Sequence, residues 1–244
     1  MNTNQLPTKS YRSFVLVLLT VVYGFNFIDR QIVGILAPFI QEDLDLTNTQ
    51  LGLLIGFAFA LFYTVIAIPI AWLADRYSRV NILSIALATW SGFTALTGMA
   101  SNFWQIGMAR MGVGIGEAGG SPPSHSIISD MYPKEERAGA LGFYSMGIPF
   151  GIMAAYFATA SLMGSGGDVE WRRIFIFLGI TGIVLAGIVK LTLKEPVRGA
   201  QELDGGTQIK KLPFIESLKS LLKIPAWWAM CFGIAFGSFV SYAS

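Results

Sequence analysis

The chain has 244 residues, 53% of them hydrophobic and only 13% charged, with a mean hydropathy of +0.57, well outside the range of a soluble globular domain, where about a quarter of residues are charged. The formal net charge of +2, carried by lysines and arginines distributed by loop, excludes a nucleic-acid partner. The single cysteine, Cys231, excludes an internal disulfide framework and reads as a small core residue, and the single histidine, His125, leaves no multi-histidine metal site.

In chain order, Met1 to Ser13 is a short polar segment, and Phe14 to Pro38 is a first apolar run of about 37 Å if helical. The run is too long for a signal peptide and no small-residue cleavage pattern occurs before Asp29, so it reads as a retained helix. An acidic turn at Gln41 to Thr49 leads to a second span, Leu51 to Leu73. A polar connection, Ala71 to Val80, leads to a third, Ile82 to Ala100. The fourth, Trp104 to Ile128, carries Pro122-Pro123, which should bend or loosen it. The fifth is Ala138 to Met163; a glycine-rich turn, Gly164 to Glu170, precedes the sixth, Arg173 to Leu193. The predicted architecture is an all-α integral membrane protein: a polar amino terminus (1–13), a six-helix bundle (14–195), a polar loop (196–224) with an amphipathic helix at Phe214 to Leu222, and the start of a seventh span (225–244).

Two of these spans carry charge. Asn26-Phe27-Ile28-Asp29-Arg30 puts adjacent opposite charges inside the first, and Arg110 and Glu117 lie in the fourth. Charges inside a bilayer are costly and by default face a bundle interior or a watery cavity, with partners. Arg110 and Glu117 are two helical turns apart and share a face, about 10 Å apart along the axis. With antiparallel spans, Asp29 lies about 13 Å from the outer end, Arg110 about 9 Å and Glu117 about 20 Å, so all can line one pocket. Gly112, Gly116 and Gly120 form a small-residue ridge on the opposite face; Gly114, nearer the charges, is expected to leave room for substrate.

Placing the amino terminus and the 2–3, 4–5 and 6–7 connections on one side collects Lys9, Arg12, Arg76, Arg79, Lys134, Arg137 and every later basic residue except Arg172 and Arg173. The positive-inside rule then puts the amino terminus in the cytoplasm, and the inner (plasma) membrane is the expected location.

Ala71-Trp72-Leu73-Ala74-Asp75-Arg76-Tyr77-Ser78-Arg79 resembles the signature between the second and third helices of the major facilitator superfamily, with Ala71 and Ser78 standing where that pattern prefers glycine. Asp75 at a helix end can engage a neighbouring helix amino terminus, and Arg79 can pair with Asp130; with Arg76 and Arg137 these form a candidate conformational latch. The run Arg110 to Gly119 resembles the fourth-helix motif of the same superfamily, and Gly147-Ile148-Pro149-Phe150-Gly151 in part its fifth-helix pattern. Gly114-Ile115-Gly116-Glu117-Ala118-Gly119 also fits G-x-G-x-x-G, but it lies mid-span with no strand before it, which excludes a dinucleotide site.

Together, Asn26 to Arg30, Arg110 with Gly116-Glu117-Ala118, and Asp130-Met131-Tyr132-Pro133 resemble the spinster-like branch. That resemblance implies a secondary transporter with Asp29 and Glu117 as proton-coupling carboxylates, and Asn26, Arg30, Arg110 and Gly114 around a small-molecule or lipid-like substrate. Protons and membrane lipids are the other expected partners. Alternatives are a non-transporting sensor or assembly subunit with the same fold, or an organic-anion symporter of another branch. No cofactor and no enzymatic activity are expected: neither metal-ligand spacing nor G-x-S-x-G nor a phosphate loop is present. Transporters of this superfamily usually enclose substrate between two six-helix halves, so a carboxyl-terminal half, or a second copy, is the expected missing partner of a chain that reads as truncated.

Overall fold

In the computed structural model, which describes residues 7–162, 170–201 and 213–243, the first apolar run lies inside one helix, α1 (Lys9–Asp43), longer than the run at both ends. The Thr8 hydroxyl accepts the Tyr11 N–H and starts it; Pro38 is carried near its far end. The second run is composite. α2 (Asn48–Gly52) begins with a capping box between Thr47 and Gln50, a π-helical turn follows at Leu53–Phe57, and α3 (Ala58–Ala74) completes it. α4 (Arg79–Thr97) is capped by Ser78.

Proline decides how the next two runs divide. The fourth is α5 (Phe103–Glu117) and α6 (Ser121–Met131). Pro122 and Pro123 have no N–H to offer the carbonyls of Ala118 and Gly119 four residues back. The chain instead tightens, Gly119 N–H bonding Gly116 O and Gly120 N–H bonding Glu117 O, each at 3.0 Å. The fifth run is α7 (Lys134–Ser145) and α8 (Gly147–Leu162), and α7 ends at Ser145, the carbonyl that Pro149 cannot serve. α9 (Trp171–Thr192) is uninterrupted. Most of the glycine-rich turn at 164–170 lies outside the described residues. Among the described residues, five helical runs are long and apolar enough to cross a membrane: Lys9–Asp43, Asn48–Ala74, Arg79–Thr97, Lys134–Ser161 and Trp171–Thr192.

The helices pack through glycine. α4 is the hub, lying along both α5 and α9, while α1 lies along α8 and α3 along α5. A Cβ on Gly151 would stand 2.3 Å from the Gly24 carbonyl oxygen, so α1 and α8 touch backbone to backbone. The predicted ridge on α5 behaves likewise: a Cβ on Gly116 would lie 2.5 Å from the Trp90 nitrogen of α4. Trp90, Leu87 and Leu83 are fully buried in the resulting core with Phe175 of α9. These contacts belong to a unit spanning Met1–Gly206; a second unit, Thr207–Ser244, holds α10 (Phe214–Leu222), which matches the predicted amphipathic helix, and α11 (Pro225–Ala243). Cys231 is exposed on α11 rather than a core residue: no described residue of that unit covers it.

Candidate functional site

The continuity of α1 through Asn26 and Arg30 puts Asn26, Asp29 and Arg30 at i, i+3 and i+4 on neighbouring positions of one face. Asp29 turns toward α4 and accepts a 2.8 Å hydrogen bond from the Thr94 hydroxyl; its other oxygen has no partner among the described residues. Arg30 turns toward α5, where its Nε donates to Glu117 at 2.7 Å. Glu117 is the last residue of α5, where the helix dipole disfavours negative charge, so the arginines supply what the helix end does not. Asn26 flanks the same carboxylate, and Arg110 faces both Glu117 and Asp29.

Two acids and two arginines thus meet inside the bundle as a group with no net formal charge. Asp29, Arg110 and Glu117 are 1–2% exposed, whereas the Arg30 side chain keeps 24% of its surface open, so the cluster has one accessible edge. Aromatic rings line that edge. The Arg30 guanidinium lies 4.6 Å from the Tyr63 ring, 5.1 Å from Phe59 and 5.4 Å from Phe27, and Phe59 also faces Arg110 at 5.3 Å. The Nε and Nη1 of Arg110 bond nothing among the described residues. Gly114 corrects one expectation: the space beside it is taken by α3, since a Cβ there would sit 2.9 Å from the Phe59 carbonyl oxygen. It lets the aromatic wall approach rather than leaving room for substrate. His125 stands edge-on to Tyr144, away from these charges. Among the described residues no three His, Cys, Asp or Glu side chains gather as a metal site requires.

A second constellation is built at the end of the bundle that holds Lys9 and Arg12. Arg79, 1% exposed, ion-pairs with Asp130 and donates to Glu195 at 2.7 Å, to the Ser126 hydroxyl at 2.8 Å and to the Pro196 carbonyl at 2.9 Å. Glu195 also accepts from the Ser78 hydroxyl and the Val80 N–H. Burial alone would raise the Glu195 carboxyl; the bonds from Arg79, Val80 and Ser78 and the Arg79 charge overcome this and hold it below its ordinary range. Arg198 donates to the carbonyls of Ala74 and Tyr77, at 2.7 and 2.5 Å, and the Gly199 N–H reaches Asp130. The segment after α9 is therefore folded over the α3–α4 turn as a clasp. Arg137 donates to the Ser129 carbonyl at the end of α6, Arg76 lies over the Trp72 ring, and Asp75 is exposed at the carboxyl end of α3.

The whole bundle from Leu19 onward matches the model of the Major Facilitator Superfamily, over residues 19–244. The chain belongs to that superfamily. Within it the sequence is spinster-like. It is 31% identical over 240 residues to protein spinster homolog 1 of Xenopus tropicalis, covering 96% of this chain and 45% of that protein. A solved structure described as a bacterial homolog of the human lysosomal transporter Spinster, inward-facing and unoccupied, is 39% identical, with a TM-score of 0.82, over 97% of this chain and 54% of that one. A probable L-galactonate transporter of Escherichia coli is 32% identical over 73% of this chain and 38% of the relative. The chain spans less than half the length of these curated relatives. The fold is accordingly the amino-terminal half of the superfamily's architecture.

Of the residues singled out in the sequence, Asn26, Asp29, Arg30, Arg110 and Glu117 come together, and so do Arg79 and Asp130. Thr94, Phe59, Tyr63, Glu195 and Arg198 went unnoticed. Thr94 is one hydroxyl in an apolar helix and Phe59 and Tyr63 are two rings in an apolar run; Glu195 meets Arg79 across 116 positions of sequence, a pairing that no local pattern announces.

Proposed function

We propose that this chain is the amino-terminal bundle of a proton-coupled secondary active transporter that moves an amphipathic lipid-like or organic-anion substrate by alternating access. Asp29 and Glu117 are the coupling carboxylates, and Asn26, Arg30 and Arg110 contact the anionic part of the substrate. The observation that carries this reading is the Arg30–Glu117 ion pair with Arg30 at the open edge. An arriving carboxylate or phosphate competes with Glu117 for Arg30. A proton taken up by Glu117 removes the competitor, so proton and anion binding reinforce each other through one guanidinium. The Phe27, Phe59 and Tyr63 rings suit an amphipathic cargo whose apolar part lies beside its charge. A relative named as a probable L-galactonate transporter fits an anionic cargo.

Arg79, Asp130, Asp75, Arg76 and Arg137 form the latch that favours one conformation of the bundle, with Glu195 and Arg198 added to it. The amino terminus is cytoplasmic. α11 begins the seventh span, and a second six-helix half, as a continuation of the polypeptide or as a second copy, supplies the opposite cavity wall. The test is uptake in proteoliposomes of the protein with both halves, driven by an imposed pH gradient, over a panel of lysolipids and sugar-acid anions. Gradient-driven uptake that Asp29→Asn or Glu117→Gln abolishes is the expected result. Uptake indifferent to both substitutions would leave the four charges as a fixed structural network, and no uptake of any cargo would favour a non-transporting sensor or assembly subunit.

A further inference from the structure

α10 (Phe214–Leu222) is short, exposed and sharply two-faced. At about 100° per residue, Phe214, Ile215, Leu218, Leu221 and Leu222 fill an arc of about 120°, with Glu216, Lys219, Ser220 and Lys223 on the remainder. No residue of α10 is buried, and Ile215, Leu221 and Leu222 are 63%, 43% and 40% exposed. Among the described residues, Ile215, Leu221 and Leu222 leave most of that stripe open.

We propose that α10 is an interfacial anchor, lying in the headgroup region of an anionic lipid surface with its apolar arc toward the acyl chains, where α11 enters the bilayer. Three observations select lipid over a protein groove. Lys219 borders the apolar arc, Lys223 caps the helix on its polar side, and Lys210 and Lys211 precede the helix in sequence, so the segment pairs cationic heads with an apolar stripe, as an anionic membrane surface requires. Trp227 and Trp228 open α11, the residue type that settles at the headgroup level of a spanning helix. Finally, the joint is short and fixed: only Lys223 and Ile224 separate the helices, and the Trp228 indole N–H donates to the Leu222 carbonyl at 3.0 Å. A helix tied to an interfacial tryptophan is held at the interface. The inference concerns a different unit from the charge cluster and stands whether or not Asp29 and Glu117 couple protons.

The test uses the full chain in nanodiscs, with Cys231→Ser as background and a nitroxide placed through Ile215→Cys, Leu222→Cys, Glu216→Cys or Ser220→Cys. In discs containing phosphatidylserine, labels at 215 and 222 should collide with oxygen and labels at 216 and 220 with a water-soluble nickel complex. Exchanging the anionic lipid for phosphatidylcholine, or combining Lys219→Glu with Lys223→Glu, should lower the ratio of lipid-seated to unseated helix by about fivefold per lysine. In parallel, backbone hydrogen exchange over 214–222 of the unlabelled chain should be slower in anionic than in neutral discs. Labels at 215 and 222 open to nickel overturn the proposal. Shielding from both reagents would mean that protein covers the stripe and would also overturn it, as would exchange rates independent of lipid charge.

Discussion

The two charged constellations of this bundle differ in how completely they are satisfied. At the clasp, Arg79 distributes its donors over Asp130, Glu195, Ser126 and Pro196, and Glu195 answers with bonds to Ser78 and Val80. Inside the bundle, Arg110 is equally buried, yet among the described residues its Nε and Nη1 bond nothing and one oxygen of Asp29 is unpartnered. Buried polar groups left unsatisfied are costly. The difference fits the roles we propose for them: the clasp ties backbone segments together, and the cluster offers donors and acceptors to a proton or an anion.

That contrast can be broken from the clasp side first. Arg79→Ala leaves Asp130 and Glu195 without their shared cation, and removing one partner of a buried pair costs about 3–5 kcal/mol; thermal unfolding in detergent should show the loss, and Arg79→Lys should restore only part of it because an ammonium cannot serve the same fork of partners. Gly151→Ala comes next. Its Cβ meets the Gly24 carbonyl, backbone that cannot step aside, so α1 and α8 must separate at about 1–3 kcal/mol. The same substitution at Gly139, where a Cβ meets nothing within 4 Å, should be nearly silent.

Glu195→Gln should be milder, about 1 kcal/mol, since the amide keeps the shape and some of the hydrogen bonds. Its signature is the pH profile. The Glu195 carboxyl is held below its ordinary value of 4.5 in the fold, so its contribution is fully present above that value and fades as pH falls through the depressed one. Stability measured against pH should therefore decline in acid more steeply for the wild type than for Glu195→Gln; parallel curves would remove the carboxylate from the clasp.

How much of this could be read in the sequence follows from where each signal is stored. Asp29, Arg30, Arg110 and Glu117 stand out because charge inside an apolar run is rare, and helical spacing alone puts Arg110 and Glu117 on one face. The break after Glu117 was visible in Pro122-Pro123, although its placement at Ala118–Gly120 depends on which carbonyls the prolines leave unserved. Gly114 was misread because a missing side chain looks the same whether a ligand or a helix fills the gap, and only the position of Phe59 decides. Thr94, Tyr63 and Glu195 were illegible for a common reason: each acquires its role from a partner far away in sequence, when α4 brings Thr94 to Asp29, α3 brings Tyr63 to Arg30, and the segment after α9 returns to the α3–α4 turn.

The most direct measurement compares two fluxes in the same proteoliposomes: pH-gradient-driven uptake and substrate counterflow, which exchanges cargo without net proton movement. If the cluster is the coupling site, Glu117→Gln and Asp29→Asn abolish driven uptake while counterflow persists, and Glu195→Gln slows both in proportion. Should the clasp variant lose driven uptake alone, or should both cluster variants retain it, the division of labour between the two constellations is contradicted.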